Sequence, residues 1–149
     1  MKHSLDYLGN KENLIARLKV LTIEKEPQWG SFSSRQMLNH LNRAIGCGLG
    51  YFEYPDRSNI LTRTIVKALI LDLLKSFPRN SFTPAVLRSS GKYDFEAEKL
   101  LLLEIIERAA QSTNDNDWLS HPYFGSMTAK EWLKLSYIHI NYHLKQFGV

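Results

Sequence analysis

The chain has one cysteine, Cys47, in 149 residues. A single thiol excludes an internal disulfide framework and suits a reducing compartment, so a cytoplasmic location is expected. Long apolar runs are also missing. The most apolar stretch, Ile60 to Leu74, is interrupted by Arg63, Lys67 and Asp72, so no membrane span is expected. The opening residues, Met1-Lys2-His3-Ser4-Leu5-Asp6, contain no apolar core of a signal peptide. Charge of one sign is never concentrated. Lysine and arginine total 19 against 15 acidic residues, a formal net charge of +4, but the two signs are interspersed. With no basic run and no nucleic-acid motif, the excess reads as a solvated surface. Strand-like alternation is scarce, and there are no repeats, low-complexity tracts or interdomain linkers. A Gly-rich phosphate loop, a Ser-His-Asp order and a helical pair of carboxylates are absent as well.

What remains is helical periodicity. Apolar residues recur at helical spacing almost throughout, which predicts a single all-α domain over residues 1–149. Five helices are expected, over about Asn10–Leu21, Ser34–Leu49, Asn59–Lys75, Phe95–Gln111 and Ala129–Gln146. On the first, Leu14, Ile15, Leu18 and Leu21 share a face. The second and fifth begin alike. Ser33 with Gln36, and Thr128 with Glu131, have the spacing of a capping box, flanked by the staple pairs Phe32 with Met37 and Met127 with Trp132. A chain of this length buries enough surface to fold without a metal.

The chemistry lies in the histidines. His139 and His143 are four residues apart, so both imidazoles lie on one face of the fifth helix, about 6 Å apart along its axis. His40 sits on the second helix after Met37-Leu38. Three neutral imidazoles without a thiolate or carboxylate would leave a transition metal with an open coordination position. The alternative is a set of interfacial histidines satisfied by backbone carbonyls. If the three do converge, the start of the second helix meets the end of the fifth, and those helices are antiparallel. Connectivity then brings the loop from Phe77 to Tyr93, with Arg79, Arg88 and Lys92, over the metal, as a functional cover or a passive crossover. His121 precedes Thr128, while His139 lies about 17 Å further along the axis from that cap. His121 is therefore expected at the opposite end, as a loop or capping residue. Cys47, between Gly46 and Gly48, reads as a small buried hydrophobe. Trp29 and Phe32 are placed to wall a pocket at the metal end.

Several segments together resemble the DinB/YfiT-like superfamily, in a branch of uncharacterised function. They are Gln36-Met37-Leu38-Asn39-His40-Leu41, His121-Pro122-Tyr123-Phe124-Gly125, Glu131-Trp132, and His139-Ile140-Asn141-Tyr142-His143-Leu144-Lys145-Gln146-Phe147-Gly148. The resemblance runs from the Trp29-Gly30 turn to the C-terminus. It implies a four-helix bundle in up-down-down-up order, with the third helix lying in the long crossover. It also maps the superfamily's metal triad onto His40, His139 and His143. Tyr142 stands where members of the branch often carry a further histidine, so any role of that residue is missing here.

The resemblance implies a metal-dependent transferase using a small thiol cosubstrate; for the divalent metal zinc is the first expectation on availability and nickel the second, since imidazole suits both. Arg79, Arg88 and Trp29 are the candidate substrate-binding residues. A metal-dependent hydrolase and a non-catalytic metal- or ligand-binding protein are the alternatives. The expected partner is a small-molecule substrate, with neither nucleic acid nor membrane, and a homodimer is allowed.

Overall fold

Short polar side chains set where the helices begin. The computed structural model describes residues 7–74, 76–79 and 83–149. Helix α1 is Tyr7–Val20, α2 is Ser34–Gly46, α3 covers residues 60–74, α4 is Phe95–Gln111 and α5 is Ala129–Gln146. Among the described residues there is no strand, only an isolated bridge between His121 and Gly125, so the all-α expectation holds. Ser33 Oγ accepts from Gln36 N at 3.2 Å while Gln36 Oε1 accepts from Ser33 N at 3.0 Å, which starts α2. Thr128 and Glu131 reproduce the box at the head of α5, at 3.1 and 3.0 Å. Asp94 accepts from Ala97 N at 2.7 Å and starts α4. Asn59 and Thr62 exchange backbone-to-side-chain bonds of 2.9 and 3.0 Å, which starts α3.

The expected boundaries of α4 and α5 are met. Helix α2 is shorter than expected and finishes in a tighter 3-10 turn, Cys47–Leu49. Helix α3 is unusual. Its Thr62–Val66 and Leu69–Leu74 segments are wound as π-helix, a rare, wider winding that is frequent at functional sites. His3 and Lys75, both named from the sequence, lie outside the described residues.

Helices α1, α2, α4 and α5 pack around one core that includes Leu14, Leu18, Leu38, Leu41, Ile105, Ile106 and Trp132, each less than 2% exposed. Long-range contacts give the register of the pairs. Lys11 pairs with Glu107 at 2.9 Å and Lys99 donates to the Lys19 and Leu21 carbonyls at 3.0 Å, so α1 and α4 are antiparallel. Asn42 meets Glu98 while Gly46 approaches Ile105, so α2 and α4 run the same way. His40 meets His139 while Gly48 approaches Trp132, so α2 and α5 are antiparallel, as the histidine argument required. Helix α3 lies alongside α5, tied by Lys67 to Glu131 at 3.5 Å and by Lys134 to Asp72 at 3.2 Å.

The far end of α5 is held by the stacked rings of Trp118 and Trp132, with centroids 5.0 Å apart. A Cβ at Gly48 would come within 2.7 Å of Trp132 and 2.9 Å of Trp118, so only glycine lets the chain pass there. No helix among the described residues is long and apolar enough to cross a membrane.

Candidate metal centre

The capped starts of α2 and α5 determine where the histidines fall. His40 is seven residues past the Ser33 cap, and His143 is one turn from the end of α5. The antiparallel packing brings them together with His139. One ring nitrogen from each of His40, His139 and His143 lies within 4.8 Å of the others. The Nε2 atoms of His40 and His139 are 2.9 Å apart. The three expected ligands thus share one place, and no other group of three His, Cys, Asp or Glu among the described residues does so.

The surrounding hydrogen bonds fix two of the tautomers. His40 Nδ1 donates to the Leu87 carbonyl at 2.8 Å, because a carbonyl can only accept. Its Nε2 is therefore left with a lone pair directed at the cluster. His143 Nδ1 donates to Gln146 Oε1 at 2.7 Å, and Gln146 Nε2 donates to the Trp29 carbonyl at 2.8 Å. His143 Nε2 is freed in the same way. Such outer partners orient metal-binding imidazoles and raise their basicity. Burial holds the rings neutral. The pKa of His40 is pushed down to about 4 and that of His143 to about 3, first by desolvation, while desolvation and then the neighbouring His40 and His143 hold His139 well below its usual range. Neutral imidazole is the form that binds metal. The donor set therefore fits a borderline transition metal with an open position, and among the described residues no carboxylate or thiolate joins it.

The cluster opens on a cavity of about 930 Å³. Phe32 and Phe77 cover the histidines, with ring centroids 5.2 Å from His40 and 5.0 Å from His139 respectively. Thr62, Val66 and Ile70 of α3 form one wall, and Trp132, Leu135 and Ser136 of α5 another. The described lining contains no Asp, Glu, Lys or Cys. Cys47 is buried elsewhere, donates to the Ala44 carbonyl, and has its pKa pushed up to about 12 by desolvation, so it behaves as the expected hydrophobe.

The candidate substrate residues divide. Arg88 lines the cavity. Trp29 and Arg79 stand outside the lining as a rim. The Arg79 guanidinium lies 4.0 Å from the Trp29 ring centre, and Trp29 Nε1 donates to the Tyr142 hydroxyl at 3.1 Å. Lys92 does not line the cavity. The loop does reach the histidines at its described ends, through Phe77 and through the Leu87 carbonyl.

One placement needs correction. His121 was expected at the opposite end, away from the site. It does pack at that end, 5.2 Å from Trp132 between ring centres, but it lines the same cavity. The open space runs along α5 from Trp132 to Gln146, so the two ends of the helix share one chamber.

Sequence reasoning also missed Leu87, Gln146 and Gly30. The Leu87 carbonyl has no sequence signal. Gln146 stands three residues after His143, a spacing at which helical side chains meet, and that signal was available. Gly30 has φ +79°, and a Cβ there would fall 2.6 Å from Gln146 Nε2. Gly30→Ala should therefore displace Gln146 from His143 and lower metal affinity by about 10–100-fold. A chelator competition against the parent chain measures this.

A family model described as Protein of unknown function (DUF1569) matches residues 1–148. No curated protein matches the chain, and no solved structure does.

Proposed function

The chain belongs to the DUF1569 family of proteins of unknown function, and we propose that it is a metal-dependent transferase that uses a small thiol cosubstrate, built on a DinB-like bundle. The observation that carries this is the set of three neutral imidazoles converging within 4.8 Å at the end of a largely apolar cavity whose described lining has no carboxylate or thiol. The pair registers described above support an up-down-down-up order for α1, α2, α4 and α5, with α3 as the additional helix of the crossover.

His40, His139 and His143 would hold the metal, zinc first and nickel second. A divalent metal there supplies a Lewis acid that keeps a bound thiol deprotonated at neutral pH. The Leu87 carbonyl and Gln146 aim two of the imidazoles. Phe32 and Phe77 exclude water around them, which strengthens every polar contact inside. Arg88 reaches the cavity and would hold a carboxylate of the cosubstrate, with Arg79 and Trp29 at the rim. The overall reaction joins the thiol sulfur to an electrophilic carbon. The C–S bond forms, the leaving group departs with its electron pair, and the thiol proton passes to solvent.

The absence of Asp and Glu from the described lining favours this reading over a hydrolase. Hydrolysis wants a general base for water, whereas a thiol brings its own nucleophile.

Cobalt substitution tests it. Small thiols should produce a sulfur-to-metal charge-transfer band, and a carboxylate-bearing thiol should bind about tenfold tighter than a neutral thiol of similar pKa. Arg88→Ala should remove most of that preference. If no thiol gives the band, the transferase reading fails.

A further inference from the structure

Among the described residues His121 is the one cavity histidine outside the triad, and its surroundings define it closely. Its Nδ1 accepts from the backbone N–H groups of Tyr123 and Phe124, each at 3.0 Å. A nitrogen that accepts two N–H groups carries no proton, so the proton of the neutral ring is on Nε2. The ring stacks on Phe124 with centroids 4.5 Å apart and planes at 17°, and meets Trp132 from another side. It is thus fixed in orientation. Desolvation pushes its pKa down to about 3, so the ring stays neutral. No described residue accepts a hydrogen bond from Nε2, and the side chain borders the cavity.

Other polar groups on α5 nearby are already engaged. Ser136 Oγ donates to the Trp132 carbonyl at 2.8 Å, and Trp132 Nε1 to the Leu119 carbonyl at 3.1 Å. A preorganised donor that borders the cavity and has no described protein acceptor is left for a ligand.

We propose that His121 Nε2–H is a substrate-binding donor at the floor of the cavity, and that the second substrate is an elongated, largely apolar molecule with a neutral carbonyl-type oxygen that accepts from it. This deepens the proposed function, because it describes the electrophile that meets the thiol. Neutrality of the acceptor follows from the lining. Among the described lining residues the one charged side chain is Arg88, on the loop that covers the triad end, and Arg63, packed on Gly125 outside the lining, is already paired with Asp56. Trp132, against which His121 packs, is seven residues before His139, or about 10 Å along α5. The cavity runs along α5 from Trp132 to Gln146, so a ligand held at His121 lays its apolar body along that helix to reach the histidines. His121 is a binding residue here and takes no part as a base, since its accepting nitrogen is used by the backbone.

The test compares butyrophenone with butylbenzene, which differ by a carbonyl in place of a methylene. Affinities are measured by equilibrium dialysis on the full chain, with and without Zn(II). His121→Asn is the informative variant. Its Oδ1 can still accept from Tyr123 and Phe124, but it has no atom at the place of Nε2. The ketone-to-hydrocarbon affinity ratio should fall about tenfold in His121→Asn, with butylbenzene binding retained. Tyr123→Phe, which removes the other unengaged polar group nearby, should leave the ratio unchanged.

The unmutated protein gives a second readout. With 15N-labelled histidine, the Nε2 signal of His121 should be that of a protonated nitrogen and should shift with butyrophenone but not with butylbenzene. An unchanged ratio in His121→Asn, a ratio lost in Tyr123→Phe instead, no binding of either probe, or an unprotonated Nε2 would each overturn the assignment. The metal-free arm keeps this separate from the function itself. A chain that binds no metal can still show the His121 effect, and a zinc-loaded chain with a thiolate band can still lack it.

Discussion

His143→Ala should reduce bound transition metal from about one per chain to a small fraction of that. Two imidazoles, His40 and His139, would remain, and a two-ligand site holds zinc weakly. The substitution also strands Gln146 Oε1, which now accepts from His143 Nδ1 at 2.7 Å. Elemental analysis of the purified variant beside the parent is the measurement. The far-ultraviolet circular dichroism should be largely retained, because the core of Leu14, Leu38, Ile105 and Trp132 closes without the histidines. Unchanged metal content would show that the triad does not bind it.

Acid should have the other large effect. In the folded chain without metal, His40 is pushed down to about 4, His121 and His143 to about 3, and His139 well below its usual range. Unfolded, each titrates near 6.5. Below that value the unfolded state binds more protons than the folded state, so stability falls as pH falls. The stabilisation is fully present above about pH 6.5 and is lost progressively towards the folded-state values. Each histidine contributes a slope of about 1.4 kcal/mol per pH unit, and four together approach the whole stability of an ordinary domain within one or two units. The chelated chain should therefore lose much of its Tm between about pH 6.5 and 4.5. With zinc bound, the three cluster histidines are held deprotonated, and the fall should begin at lower pH. A Tm that is flat across this range in the chelated chain would mean that the histidines are not buried as described.

These expectations rest on features of unequal visibility in the sequence. The starts of α2 and α5 were legible because Ser33, Gln36, Thr128 and Glu131 bond to the nearest backbone, and local hydrogen bonding follows directly from spacing. The meeting of His40 with His139 and His143 was legible one step later, since two well-anchored helices leave few ways for their apolar faces to pack. The winding of α3 was not. Thr62, Val66 and Ile70 line the cavity at the four-residue spacing that ordinary helical periodicity also gives, but the wider winding of their segments has no local sequence signal. His121 shows the same limit from another side. Helical rise places it beside Trp132, towards the start of α5, yet it says nothing of whether the space between is filled. Here it is open, because Phe124, Leu135, Ser136 and the α3 wall border the cavity without closing it. The Leu87 carbonyl lay beyond reach for a simpler reason: any residue supplies a carbonyl.

X-ray absorption at the zinc edge of the zinc-loaded chain, before and after addition of a carboxylate-bearing thiol, tests the central claim most directly. The account predicts three imidazole nitrogens at about 2.0–2.1 Å, with the outer-ring scattering of histidine, and a new sulfur at about 2.3 Å once the thiol is present. A shell dominated by oxygen, or by sulfur before any thiol is added, would contradict it.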